Sequence, residues 1–371
     1  MTRAFGIVNF AGGYAQVAGM QQYRPIGAFS FLGRYRVIDF PISNMTNSGI
    51  DHIQVYIRRK PRSLTEHLGT GRHYNINSKS GKMHILYSET CVEDNIYNND
   101  IAAYNENMES IEAVKYPYVV IAPSYMVYRM NYDDLLQAHV ESGADITLLY
   151  HAVDNARDYF LNCNTLNLNR QKGVLSLDRN HGNAKSRNIF MDTYVMKKEL
   201  FMDLVVKAKK ISSMYTLADI VNMACEEYDV RGVSHRGYFA SITDFKSYYN
   251  ANLSLIDMKD AMNLFDDKWP FYTRTNDSCP TQYFEGADVR KSVVSNGCLI
   301  EGTVENSVIG RGCVIKKGAV VKNSVVLPGA VIGNDVILDS QVVDKHARIV
   351  HAKEIVATPD NPGYIRRRDT L

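Results

Sequence analysis

Residues 307–332 read SVIGRGCVIKKGAVVKNSVVLPGAVI. Apolar residues return at Val308, Val314, Val320, Val326 and Ile332, a spacing of six. Gly312, Gly318 and Gly329 fall at turn positions just before the next apolar pair. A six-residue internal period marks a parallel β-helix: each unit supplies one short strand, and glycine or asparagine supplies the corner. Stacked coils bury a Val and Ile column that one coil alone could not. An ordinary β-sandwich fits less well, because its strands recur at roughly 8–12 residues. The register slips by one residue at Val325–Val331, so one irregular corner is expected. The same pattern reaches back through SVVSNGCLIEG at 292–302 and sets a C-terminal β-helix domain over 286–371.

Toward the N-terminus the character changes. The stretch 257–281 contains Trp269, Pro270 and Pro280 and keeps no steady period, so 257–285 reads as a linker. Residues 1–256 alternate strand and helix signals. Ala4–Phe10 is a short apolar run ending at Gly12-Gly13, which reads as a buried first strand and a turn. Strands are predicted near His52–Ile57, Tyr118–Ala122, Asp145–Tyr150 and Ile189–Met196. Helices are predicted near Asp39–Ser48, Tyr132–Val140, Lys198–Lys207, Leu217–Cys225 and Thr243–Leu255. This alternation predicts an α/β domain with a mixed, mainly parallel sheet covered by helices.

Composition narrows the function classes. The chain has 371 residues, 42 Lys and Arg against 40 Asp and Glu, and 45% apolar residues. A formal charge of +2 argues against a dedicated nucleic-acid binder. No apolar run is long enough for a membrane span, and the start lacks the pattern of a signal peptide. Cys91, Cys163, Cys225, Cys279, Cys298 and Cys313 include no C-x-x-C pair. They read as reduced thiols of a cytoplasmic protein, with no zinc or other metal site.

The segment 33–50, GRYRVIDFPISNMTNSGI, resembles the matching segment of the ADP-glucose pyrophosphorylases (glucose-1-phosphate adenylyltransferases). RSLTEHLGTG at 62–71, YRMNY at 128–132 and GYFASITDFKSYYNANLSL at 237–255 resemble further segments of that family. The resemblance implies a nucleotidyltransferase-like, Rossmann-like sheet domain followed by a left-handed β-helix. It implies a chemistry in which glucose 1-phosphate is joined to the AMP part of ATP with release of pyrophosphate. Such a reaction needs a glycine-rich loop and cations beside the triphosphate, and a magnesium ion held by carboxylates.

Against that pattern this chain keeps the frame and lacks the reactive groups. Its loop retains Gly12 and Gly13 but carries Tyr14 and Ala15 where the family has AGG-x-GTRL. The lysine of the family's AKP segment falls on Ile26, and its metal aspartates fall on Tyr125 and near Tyr215. The sugar-contacting EKP segment has no counterpart around Leu175–Asn188. Each lost cation or metal contact is worth several kcal/mol to a transition state, and about 1.4 kcal/mol is tenfold in rate. The chain is therefore expected to be inactive alone, with no catalytic residue and no cofactor of its own. It is most like the non-catalytic, GlgD-type regulatory subunit. ATP and magnesium would be used by a catalytic partner chain in a hetero-oligomer, implied to be a tetramer. Arg24, Arg36 and the intervening Arg34 match or border positions that in the family surround a sugar-phosphate effector, with surface or interdomain ion pairing as the other reading. An active nucleotidyltransferase with a rearranged site and a hexapeptide-repeat acyltransferase using His346 or His351 are the alternatives. The tyrosines at 97, 104, 116, 118, 125, 128 and 132 suit either an interface or the filling of a vacated pocket.

Overall fold

The computed structural model describes residues 3–76, 79, 81–87 and 97–371; Cys91 lies outside them. The N-terminal domain is built on a nine-stranded sheet. Its strands are β1 (Ala4–Asn9), β2 (His52–Ile57), β3 (Lys82–Tyr87), β4 (Tyr118–Pro123), β5 (Ile146–Val153), β6 (Asn164–Leu168), β7 (Val174–Arg179), β8 (Arg187–Lys197) and β9 (Val230–Ser234). β3, β2, β1 and β4 lie side by side and parallel. β8 is antiparallel to β4 and to β5, and β9 closes that edge parallel to β5. The far end of β8 pairs with β6, which forms an antiparallel hairpin with β7.

Residues alternate between two apolar clusters, one on each face of this sheet. Phe5 and Ile7 face α2 (Asp100–Glu106), α4 (Lys198–Ile211) and α5 (Leu217–Ala224). Val8, Val55 and Val120 face α1 (Asp39–Asn47), α3 (Tyr132–Ser142) and α6 (Phe245–Ser254). The helices follow from their spacing. α4 buries Phe201, Leu204, Val205 and Ala208, a single stripe at three- and four-residue steps. Thr216 and Asp219 form a reciprocal capping box at the start of α5.

The linker is tied down. It contains α7 (Met258–Leu264). Beyond that helix, Trp269 donates its indole N–H to Asn44 Oδ1 of α1 at 2.9 Å, and the Tyr272 amide donates to Ser43 Oγ at 2.9 Å.

The C-terminal domain is the left-handed parallel β-helix that the period predicts. Three five-stranded parallel sheets form its walls, and the first coil strand is Gln282–Tyr283. Val308 pairs with Val325 and Val325 with Val342, so these coils take 17 residues, while the preceding one, from Val293 to Val308, takes 15. The expected single irregular corner is instead a recurring one. Lys291, Asn306, Asn323 and Ser340 each turn the chain with left-handed φ of 41° to 54°, and at each of these corners the unit is shortened. Asparagine tolerates this conformation best among non-glycine residues. Asn306 and Asn323 stack there, Nδ2 of the first donating to Oδ1 of the second at 2.8 Å.

One wall of the β-helix packs on the sheet domain. Val308, Val325 and Val342 belong to the same core cluster as Phe29, Phe31 and Tyr248. The backbones approach closely at Gly33, which has a φ of +69°. A Cβ there would stand 2.9 Å from the Ile309 carbonyl oxygen, so glycine is needed for both reasons.

Candidate functional site

A cleft of about 470 Å³ opens beyond the C-terminal end of β1. In open α/β sheets ligands bind at such strand ends. The loop Phe10–Gln16 forms one lip. Asn9, Asp100, Arg179, Asp192 and Asp219 line the interior.

The loop does not stand open for phosphate. Tyr14 turns inward, and its hydroxyl is hydrogen-bonded to that of Tyr125, which in turn donates to Asp192 Oδ2. Tyr14 also reaches Asp192 Oδ2 at 3.3 Å. The two rings meet edge to face with centroids 6.3 Å apart. The Arg179 guanidinium lies over the Tyr14 ring at 5.5 Å, a cation–π contact. A Cβ on Gly12 would come within 2.7 Å of the Tyr14 ring. Gly12 therefore serves the tyrosine.

Asp192 is the hub, and its place is a backbone matter. The register between β8 and β5 breaks between Phe190 and Thr193, and Asp192 sits in this bulge with φ +46°. A bulge re-aims one side chain out of the strand's alternation. Here it delivers a carboxyl to two phenols. Burial raises the Asp192 pKa, opposed by hydrogen bonds from Tyr125, Tyr14 and Tyr194. Burial and then the Asp192 charge push Tyr14 and Tyr125 well above the usual phenol range.

Asp100 is the second carboxyl. It accepts the Leu217 amide at 3.1 Å and Asn9 Nδ2 at 3.4 Å. Burial foremost pushes its pKa up to about 7, with Asp192 and Asp219 adding to the rise.

These donors do not fit a magnesium site. Mg²⁺ needs ionised oxygen ligands in near-octahedral array. Burial favours the protonated form of both carboxyls, and Asp192 is already occupied by phenols. Among the described residues no group of three His, Cys, Asp or Glu side chains is arranged to hold a metal ion.

The remaining sequence candidates separate. Tyr215 packs against the apolar cluster beside α5, while its neighbours Met214 and Thr216 face the cleft. The stretch 175–188 does hold an acidic–basic pair: Asp178 and Arg179, at the end of β7, line the cleft. Tyr104, Tyr125, Tyr128 and Tyr132 are fully buried, whereas Tyr97 is 48% exposed. His346 and His351 are exposed on the last coils.

Two of the three arginines meet at the seam between the domains. Arg24 is 3% exposed and its Nη2 lies 2.6 Å from Asp344 Oδ1 of the β-helix, leaving Nε and Nη1 without partners. Arg36 donates Nη1 to the Ser63 carbonyl at 2.5 Å. Lys345 stands beside them: burial first, then the Arg36 and Arg24 charges, push its pKa down to about 7, and Arg367 adds to this. Arg34 is elsewhere, exposed, with its guanidinium 5.5 Å from the Tyr35 ring. Sequence reasoning missed Asp192 and Lys345 as site residues, and read Arg367 only as part of a basic C-terminal cluster, 366–368, that suits a solvated tail. Asp192 carried one signal, a carboxylate in the middle of an apolar strand.

Comparison with known proteins finds matches to both domains. A Nucleotidyl transferase family model covers residues 19–257, beginning after the glycine loop, and a GlmU-like, C-terminal hexapeptide model covers 281–362. A glucose-1-phosphate adenylyltransferase of Clostridium botulinum is 31% identical over 309 residues, 80% of this chain and 78% of the relative. One of Clostridioides difficile is 29% identical over 306 residues, 80% of this chain and 78% of the relative. The glycogen biosynthesis protein GlgD of Geobacillus stearothermophilus is 27% identical over 305 residues, 81% of this chain and 77% of the relative. With both domains matched in order, and with identity sustained along most of its length, this chain belongs to the glucose-1-phosphate adenylyltransferase family of nucleotidyl transferases.

Proposed function

We propose that this chain is a regulatory, catalytically inactive subunit of glucose-1-phosphate adenylyltransferase. In this reading it assembles with a catalytic chain and raises that chain's output of ADP-glucose for glycogen synthesis. One observation carries the reading: Tyr125 stands where the family's metal aspartate is expected, and it is bonded to Tyr14 of the loop. The two substitutions are coupled, because each tyrosine fills space and satisfies a hydroxyl for the other. A triphosphate brought to this loop would meet the Tyr14 and Tyr125 phenols and the Asp100 and Asp192 carboxyls, with Arg58 and Arg179 as the cations that line the cleft.

The effector part of the reading rests on the seam. Among the described residues Arg24, Arg36, Lys345 and Arg367 have one direct ion pair, Arg24 with Asp344, while the Asp39 charge also acts on Arg36. A surplus of part-buried cations suits the phosphate of a sugar phosphate. Such a ligand would bear on both domains at once and so on their relative stability.

The test is a paired assay of ADP-glucose formation by this chain, by a catalytic homologue, and by the mixture. The expected result is no turnover by this chain and a mixture that exceeds the homologue in rate or effector response. Turnover by the purified chain, lost on Gly12→Trp, would establish instead a rearranged active site. The carboxyls of Asp100, Asp192 and Asp219 in the cleft are the observation favouring that second reading.

A further inference from the structure

A second cavity, of about 180 Å³, shares Phe10, Gly13, Gln16 and Arg58 with the cleft but none of its carboxylates. It lies between the glycine loop and the end of β2. Four cationic side chains line it, Arg24, Arg58, Arg59 and Lys60, and no acidic side chain among the described residues does.

The bonding of these cations is incomplete. Arg59 Nη2 is buried with no partner, and Arg24 Nε and Nη1 are likewise unpaired. Arg58 gives Nη1 to the Asn98 carbonyl at 3.2 Å and lies over the Phe10 ring at 5.3 Å. Lys60 Nζ bonds the carbonyls of Gln21 and Gln22 at 3.0 and 2.6 Å. Asp344, on Arg24, is the one carboxylate in direct contact with any of the four among the described residues. Three consecutive cations at a strand end repel one another. Burial and the Arg59 charge lower the Arg58 pKa, with Asp100 opposing through space. A dianion between the guanidinium forks would relieve that repulsion and fill the orphaned donors.

We propose that this cavity is a binding site for a phosphoryl dianion, free or carried by a small sugar, held by Arg58 and Arg59 beside the glycine loop. The cavity is smaller than the roughly 300 Å³ at which pockets for larger organic ligands start, which suits a small anion better than a nucleoside triphosphate. The site is separate from the seam, where Arg36, Lys345 and Arg367 gather; Arg24 forms a wall of both. The inference does not depend on the chain being a regulatory subunit, because it concerns direct binding to this chain alone.

The experiment is isothermal titration of the full chain with inorganic phosphate and with a hexose 6-phosphate, at constant ionic strength, in an Arg36→Gln background that weakens the seam. Arg36→Gln should retain saturable phosphate binding. Adding Arg59→Gln should weaken it at least tenfold. Tighter binding of the hexose phosphate than of phosphate identifies a sugar phosphate as the ligand, and equal binding identifies free phosphate. Absence of saturable binding of either ligand to Arg36→Gln overturns the proposal, and so does unchanged affinity in the double variant. If Arg59→Gln does not fold, Arg59→Lys, which keeps the charge and loses the fork, replaces it: weaker binding supports the site and wild-type affinity refutes it.

Discussion

Two regions of this molecule hold buried charge, and they are built with opposite signs. In the cleft, Asp100 and Asp192 are half-buried among amides and phenols, and burial raises the pKa of both. At the seam, Arg24 is paired with Asp344, the Arg36 and Arg24 charges act on Lys345, and Lys345 leans toward the neutral form. The family's chemistry puts phosphate in the first region, whereas this chain places its unpaired cations at the second and behind the loop. The contrast teaches that the shape of a strand-end cleft and the sign of the charge that lines it are set by different residues.

The largest test of that contrast is at the seam. Asp344→Ala leaves Arg24 buried beside Lys345 with no counter-charge, and removing one partner of a buried pair costs about 3–5 kcal/mol. Urea unfolding should show that loss, and saturating phosphate or sugar phosphate should recover part of it. A loss below about 1 kcal/mol would mean the pair is solvated. In the cleft, Tyr125→Phe removes the bond to Asp192 and leaves Tyr14 with one partner fewer. Hydrogen bonds to charged or partly charged groups contribute about 1.5–3 kcal/mol, so the same unfolding assay should register a loss in that range. A double-mutant cycle with Tyr14→Phe should be non-additive; additivity would show that the two tyrosines act separately.

The pH profile sharpens the comparison further. Between about pH 4 and 7 the folded chain keeps a proton on Asp100 that the unfolded chain releases, so stability falls as pH rises through that window. Lys345, pushed down to about 7, gives the opposite slope: above pH 7 the unfolded chain binds a proton the folded chain does not, and stability rises with pH. Each slope is at most about 1.4 kcal/mol per pH unit. Asp100→Asn should flatten the acid limb alone and Lys345→Met the alkaline limb alone, measured by denaturant unfolding at fixed ionic strength. The smallest effect is at Arg34. Arg34→Ala removes an exposed cation–π contact, worth about 0.5 kcal/mol, and should leave any phosphate response unchanged; an altered response would bring Arg34 into the seam.

Much of the frame was legible because it is written in local periods. The six-residue repeat predicted the β-helix, and the recurrence of its short corner emerged only from the pairing of Val308, Val325 and Val342. The family resemblance singled out Tyr125 as standing at a carboxylate position. Its bond to Tyr14 was not, since 111 residues separate the two. Asp192 was hidden because a bulge, not an alternation, aims it. The hairpin β6–β7 escaped because its short strands carry asparagine and aspartate at outward positions and look like loop. Lys345 and Arg367 lie more than 300 residues from Arg24, and nothing in the chain near either end announces that they meet.

The 17-residue coil has a consequence for how this protein can vary in length. The valines that dock on the sheet domain come round once per coil, at Val308, Val325 and Val342. The coil before them, from Val293 to Val308, is two residues shorter and still stacks in register, the difference being taken up at the corner between Leu299–Ile300 and Thr303–Glu305. The removal of a full turn would leave the remaining valines aligned. The last coil, from Gln341 to Gly363, takes 22 residues, so length in this half of the molecule can change at a corner as long as each wall keeps its rung.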